Sequence, residues 1–281
     1  MEPFSRETQG KIDQLKEWLD REKGSVIAFS GGIDSSLLLF LTRLFQGKEK
    51  AIAVISKSES LKTRDYDLAV DFCKQFDIIL EVVTTKELED ERYNENPINR
   101  CFFCKDHLYN DLQQVLLKYP GYRVLNGTNI DDHGDYRPGL EAAIKYKVHS
   151  PLADCKISKE EIRNIAAFYK LPNHDKPASP CLSSRVPYNH KITRKKLVEI
   201  EKAENFLNDS GFRDVRVRHY GDFGRIEVKP EDIDRLILIK DDVIKHIKSI
   251  GFERVEIDEE GLVSGKMNRV LSHSKNDSKL K

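Results

Sequence analysis

The chain has 281 residues, with 47 Lys plus Arg against 47 Asp plus Glu, so its formal net charge is zero. That balance argues against whole-chain binding to nucleic acid or an anionic membrane, which calls for an excess of positive charge. No apolar run approaches the roughly 18 residues of a membrane span, and five cysteines are too few for a disulfide scaffold.

The charged start lacks the apolar stretch of a signal peptide, so the expected compartment is the cytosol. Ile12, Leu15, Trp18 and Leu19 recur at helical spacing and predict a helix over 7–22. A short β-rich run, 25–29, ends at Ser30-Gly31-Gly32 and leads into a helical stretch, DSSLLLFLTRLF. Strands over 51–56, 78–83 and 122–128 then alternate with helices over 63–76 and 104–118. Alternating strands and helices, with strands that read as continuous apolar runs, predict an α/β fold with a doubly wound, mostly parallel sheet.

The pattern changes after residue 130. A helix is expected over 158–170, with Ser158 as N-cap and Glu161 closing a capping box. Residues 171–193 hold four prolines, and an irregular stretch of that length is functional or a linker. An amphipathic helix follows, with Leu197, Ile200, Ala203, Glu204 and Leu207 on one side. VRVRHY, a GDFG turn and RIEV predict a hairpin, and a helix over 231–248 with a strand over 253–257 completes a smaller α+β unit. The expected domains are 1–187 and 188–271, with 272–281 a disordered tail.

Ser30-Gly31-Gly32-Ile33-Asp34-Ser35-Ser36 is the sharpest motif. Paired glycines let the backbone approach an anion, the first helical turn offers amides, and the helix dipole favours negative charge there. Ser30, Ser35 and Ser36 add hydroxyls. The segment has no terminal Lys, so it is not a Walker A loop. Asp34 suits Mg²⁺, a hard cation that takes carboxylate and phosphate oxygens. Ser56 ends the second strand, where a doubly wound sheet places its nucleotide crevice. A non-catalytic nucleotide-binding module is the alternative, and the intact Asp34 and clustered cysteines weigh against it.

The SGGxDS segment resembles the pyrophosphate loop of the N-type ATP pyrophosphatases. Three further stretches narrow the resemblance: Asn99-Arg100-Cys101-Phe102-Phe103-Cys104-Lys105; Gly127-Thr128-Asn129-Ile130-Asp131-Asp132 with Asp135-Tyr136-Arg137-Pro138-Gly139; and Asp175 to Arg185 around Cys181. Together they resemble the LarE family, ATP-dependent sulfur transferases of nickel-pincer nucleotide synthesis, from about residue 7 to 270. The resemblance implies ATP as co-substrate and pyridinium-3,5-biscarboxylic acid mononucleotide as the small-molecule substrate. Each carboxylate is adenylylated and then thiolated. It also implies a homo-oligomer and places Gly127, Asp131 and Arg137 in the nucleotide pocket. A tRNA-thiolating relative is disfavoured by the zero net charge and by the absence of extra zinc-finger cysteines.

Cys181 matches the family position whose own sulfur is given up. Lys176 and Arg185 flank it in sequence, close enough to supply positive charge to a thiolate. Cys101 and Cys104 depart from the single-cysteine form. With Cys181 they make an incomplete iron–sulfur ligand set, which leaves one iron open to sulfide. A [4Fe–4S] cluster is favoured over structural Zn²⁺, completed by His107 or Cys155, and over a redox disulfide. Sulfur from Cys181 itself and sulfide on a cluster both remain open. Cys73 and Cys155 read as buried packing thiols. Arg216 and Arg218 share a strand face, suited with Arg185 to a substrate phosphate or to solvent. Glu204 is a metal ligand, an interface charge or, at least as readily, a partly exposed residue at the edge of the stripe.

Overall fold

In the computed structural model, residues 4–134, 138–177, 179–263 and 265–269 are described. The tail expected to be disordered and Arg137 lie outside them. The chain divides into two compact units, Met1–Pro180 and Cys181–Lys281, so the expected boundary near 187 falls inside the second. No helix among the described residues is long and apolar enough to cross a membrane.

Among the described residues the first unit has four parallel strands: β1 (Ser25–Ala28), β2 (Ala51–Ser56), β3 (Ile79–Val83) and β4 (Arg123–Leu125), in the order β3-β2-β1-β4. Successive strand residues serve opposite faces. Ile27, Ala53 and Ile55 enter one core with α1 (Arg6–Asp20), α2 (Ile33–Gln46) and α3 (Thr63–Gln75). Val26, Ala28, Ile52 and Val54 enter another. That second core is closed by α5 (Arg100–Leu116) and α6 (Gly139–Lys145), with the short α4 (Glu91–Asn94) preceding them. Both sheet faces are therefore covered, which explains the continuous apolar strands. After α7 (Pro151–Asp154), α8 (Lys159–Phe168) starts at the expected capping box: the Glu161 amide donates to Ser158 and the Ser158 amide to the Glu161 side chain. The strand order reverses at β1, so the crevice outside the carboxyl ends of β1 and β4 is the topological switch point.

The second unit is α+β. α9 (Arg194–Asp209), capped by Thr193, packs on β5 (Val215–His219), β6 (Phe223–Val228) and β7 (Arg254–Ile257). β5 and β6 form the expected antiparallel hairpin, and β7 joins β6 in parallel. The helix expected over 231–248 is instead α10 (Ile233–Leu238) and α11 (Lys240–Ile250), broken at Ile239.

Behind β5, buried His219 receives the Gly221 amide on Nδ1 at 3.2 Å and pairs through Nε2 with Glu199 at 2.9 Å. Burial pushes the imidazole below its ordinary 6.5, partly opposed by Glu199 and reinforced by Lys196 and Lys195. The unfolded chain therefore binds the proton more readily. Stability present above pH 6.5 is lost as pH falls through the depressed value. Denaturant unfolding of the full chain between pH 8 and 5 is expected to show this loss. His219→Gln should flatten it, and identical slopes for the two proteins would remove His219 as its source.

Candidate functional site

The phosphate loop joins β1 to α2. Gly31 has φ +70°, and a Cβ there would lie 3.2 Å from Ala69 Cβ and 3.3 Å from the Asp65 carbonyl. Only glycine takes that conformation and that space without strain. Gly32 is the N-cap of α2 and, as glycine, brings no capping side chain; its own amide donates to the Ser30 hydroxyl at 3.3 Å. The Ser35 hydroxyl accepts from the Ser30 amide at 3.3 Å and donates to the Gly32 carbonyl at 3.1 Å, which shapes the loop from beneath. On the far side of the crevice, a Cβ at Gly127 would meet the Ser35 amide nitrogen at 2.6 Å. The β4 loop can thus lie directly on the first turn of α2, and the structure brings Ser30–Ser35 and Gly127 together at the switch point.

Asp34 faces this crevice. Its carboxylate receives both contacts of the Lys159 ammonium, at 2.7 and 2.5 Å, and the Asn129 amide at 3.2 Å. Asp131 does not reach into the loop itself; its carboxylate accepts the Lys159 backbone amide at 2.7 Å and so holds the start of α8. Lys159 and Asn129 were not singled out from sequence. Lys159 thus places a cation beside a loop that, unlike a Walker A loop, carries none within itself. Asp34 can hold a hard cation together with phosphate oxygens, and a phosphate would offer Lys159 a new partner. Ser36 is fully buried, and its hydroxyl accepts from Asn173, which also donates to the Gly31 carbonyl at 3.1 Å. Ser36 therefore braces the loop from the core side. Ser56, at the end of β2, shares a 2.6 Å hydroxyl contact with Thr85 beyond β3.

The cysteines separate by burial. Cys73 and Cys155 are buried, and burial pushes their thiols up to about 12 and about 11, the latter with help from Asp154. They are inert packing groups. Cys101 is exposed and Cys104 half-buried, one turn apart at the start of α5; Cys181 is half-buried at the head of the second unit. Among the described residues no group of three or more His, Cys, Asp or Glu side chains is gathered to hold a metal ion. Neither expected source of charge beside Cys181 is available in that form. Lys176 is paired with Asp65 at 2.8 Å. Arg185 meets the Cys181 carbonyl at 3.2 Å, and its charge goes to Glu204.

In the second unit, Arg185–Glu204 and Arg218–Glu227 are buried ion pairs at 2.8 and 2.7 Å, each side chain only 2% exposed. Glu204 also accepts the Val217 amide at 3.0 Å, which satisfies an outward N–H on edge strand β5. It is thus a buried structural carboxylate, and none of its three expected roles, the partly exposed stripe edge included, describes it. Arg218 Nη1 donates to the Ser184 carbonyl at 2.8 Å. Two free guanidinium groups on one strand face were expected; the structure leaves one. Arg216 has no carboxylate partner among the described residues, and burial, then Arg218 and Arg185, hold its pKa below the ordinary value. An anion at Arg216 would relieve that repulsion.

Residues 10–97 match the NAD synthase family. An uncharacterized protein of Synechocystis sp. is 38% identical over 94% of this chain and 99% of its own length. The pyridinium-3,5-bisthiocarboxylic acid mononucleotide synthase of Lactiplantibacillus plantarum is 32% identical over 88% of this chain and 89% of its own. An uncharacterized protein of Methanocaldococcus jannaschii is 32% identical over 86% and 92%.

Proposed function

Because the chain belongs to the LarE family, PP-loop sulfurtransferases of the ATP pyrophosphatase type, we propose that it thiolates pyridinium-3,5-biscarboxylic acid mononucleotide at the expense of ATP. A substrate carboxylate oxygen attacks the α-phosphorus, and pyrophosphate leaves from the loop. A sulfur nucleophile then attacks the acyl carbon and AMP leaves, taking the electron pair of the C–O bond. Repetition on the second carboxylate gives the bisthiocarboxylate. The carrying observation is the glycine-built loop at the start of α2, where Gly31 at φ +70° and Gly127 let backbone pack closely, with the Asp34–Lys159 pair beside it.

In this reading the α2 amides and Ser30 hold the leaving pyrophosphate, and Lys159 moves from Asp34 to its oxygens. Asp34 would then hold Mg²⁺, which when bound would neutralise charge developing on the phosphates. Ser56 and Asp131 border the nucleotide. Arg216 takes the phosphate of the mononucleotide, while Arg185 and Arg218 hold the strand and the 182–185 turn around it. Cys181 serves the transfer step, giving its own sulfur or holding a cluster. A [4Fe–4S] cluster on Cys101, Cys104 and Cys181 would supply external sulfide, and the donor chemistry suits it: these three thiols are unburied, and Cys73 and Cys155 are not. A homo-oligomer belongs to the same proposal, supported by the exposed aliphatic run Ile237, Leu238 and Ile239.

The test is pyrophosphate release with the dicarboxylate mononucleotide, with bulk tRNA and with neither. Stimulation by the mononucleotide alone is expected, and stimulation by tRNA would transfer the reading to tRNA thiolation. Arg216→Ala should raise KM for the mononucleotide about 10–150-fold, the worth of a charged hydrogen bond, and leave KM for ATP unchanged. An unchanged mononucleotide KM would return Arg216 to the solvent surface.

A further inference from the structure

Residues 171–177, 179 and 180 of the first unit precede Cys181 in the chain, and two devices tie them down. Asn173 reaches under the phosphate loop, donating to the Gly31 carbonyl at 3.1 Å and to Ser36 Oγ at 2.8 Å. Further along, Asp65 accepts from two residues of the segment at once. Its Oδ1 takes the Lys176 ammonium and its Oδ2 the Ser179 hydroxyl, both at 2.8 Å. The pair is largely shielded, with Asp65 13% and Lys176 21% exposed, so it is screened less than a surface bridge. Pro177 and Pro180 alternate with these contacts and narrow the backbone freedom that remains. Asp65 stands in the first turn of α3, whose Asp65 carbonyl and Ala69 fill the space beside Gly31. One helical turn therefore abuts the phosphate loop and holds the approach to Cys181.

We propose that Asp65 is a positioning residue for sulfur transfer: through Lys176 and Ser179 it holds the lead-in to Cys181 in register with the phosphate loop. The proposal rests on the reading of Cys181 as the cysteine of the transfer step. Asp65 touches no reacting atom. Its effect is on the second half-reaction, because adenylylation uses the loop and Asp34, whereas transfer requires Cys181, as sulfur donor or as cluster ligand. A held approach spares the orientational cost of each transfer.

The experiment uses the full-length enzyme with ATP, the dicarboxylate mononucleotide and sulfide. It follows pyrophosphate release, thiocarboxylate formation and deuterium uptake of peptides covering 171–180. For Asp65→Ala, thiocarboxylate formation is expected to slow about 10- to 100-fold, with pyrophosphate release unchanged and uptake in 171–180 raised. Lys176→Met should slow transfer in the same way. The double variant should be no slower than Asp65→Ala, since contacting partners are not additive. Unchanged uptake in Asp65→Ala overturns the proposal, as does a parallel fall in pyrophosphate release or an additive double variant. A wild-type enzyme that makes no thiocarboxylate overturns the functional reading instead, and the uptake result then still decides whether Asp65 holds the segment.

Discussion

Asp34→Ala is expected to abolish pyrophosphate release while leaving the fold intact. The side chain sits in the first turn of α2, a quarter exposed, and contributes nothing to the core packed around Leu37, Leu38 and Leu41. Its loss frees Lys159 and Asn129 at the mouth of the crevice and removes the carboxylate that would share a cation with the phosphates. Removing one preorganised electrostatic group costs about 10²–10³-fold in rate, and loss of the cation anchor adds to that. Asp34→Asn separates charge from shape. It keeps a side chain able to bond Asn129 and should be nearly as slow as Ala, because an amide neither pairs with Lys159 nor anchors Mg²⁺. Matching circular dichroism and melting curves would show that both variants fold. Full release by folded Asp34→Ala would remove Asp34 from the reaction.

The loop was legible in sequence because everything that makes it is local: strand, two glycines, helix start and an acidic first turn. Its partners were not, because tertiary structure brings them from afar. Lys159 lies 125 positions from Asp34 and Asn129 lies 95. One signal was present for Lys159. It is the first residue of a well-capped helix, where the dipole disfavours a cation, and a residue that breaks a local rule often serves a site. Asn173 gave no such sign in a stretch of prolines and polar residues. Period-two alternation put Arg216 and Arg218 on one face, but it carries no information about Glu227 across the hairpin, which takes Arg218 and leaves Arg216. Glu204 stood out as a carboxylate amid apolar neighbours. Its partner Arg185 lay in the proline-rich stretch, and the edge amide it satisfies is visible only once β5 is known to be an edge. The break at Ile239 has neither proline nor glycine to announce it.

Cys181→Ala is expected to abolish thiocarboxylate formation and to leave pyrophosphate release intact, because the phosphate loop and Asp34 are built wholly from the first unit. Alanine removes the thiol at a half-buried position and creates no core cavity, so a folding defect is not expected. Cys101→Ala then decides where the sulfur comes from. If Cys181 donates its own sulfur, Cys101→Ala retains transfer. The wild-type chain then becomes lighter by the mass of H₂S in one turnover, as residue 181 becomes dehydroalanine. If the three unburied thiols share an iron–sulfur cluster, the anaerobically purified protein is coloured and carries iron, and each of Cys101→Ala, Cys104→Ala and Cys181→Ala loses iron together with transfer. The chain mass is then unchanged after many turnovers, since external sulfide is consumed. The departure of this chain from the single-cysteine form favours the second result: the two extra thiols, Cys101 exposed and Cys104 half-buried, stand one turn apart at the start of α5, whereas Cys73 and Cys155 belong to the core. Iron-free protein that transfers sulfur once and carries dehydroalanine at 181 would refute it, and Cys181→Ala that still forms thiocarboxylate would refute both.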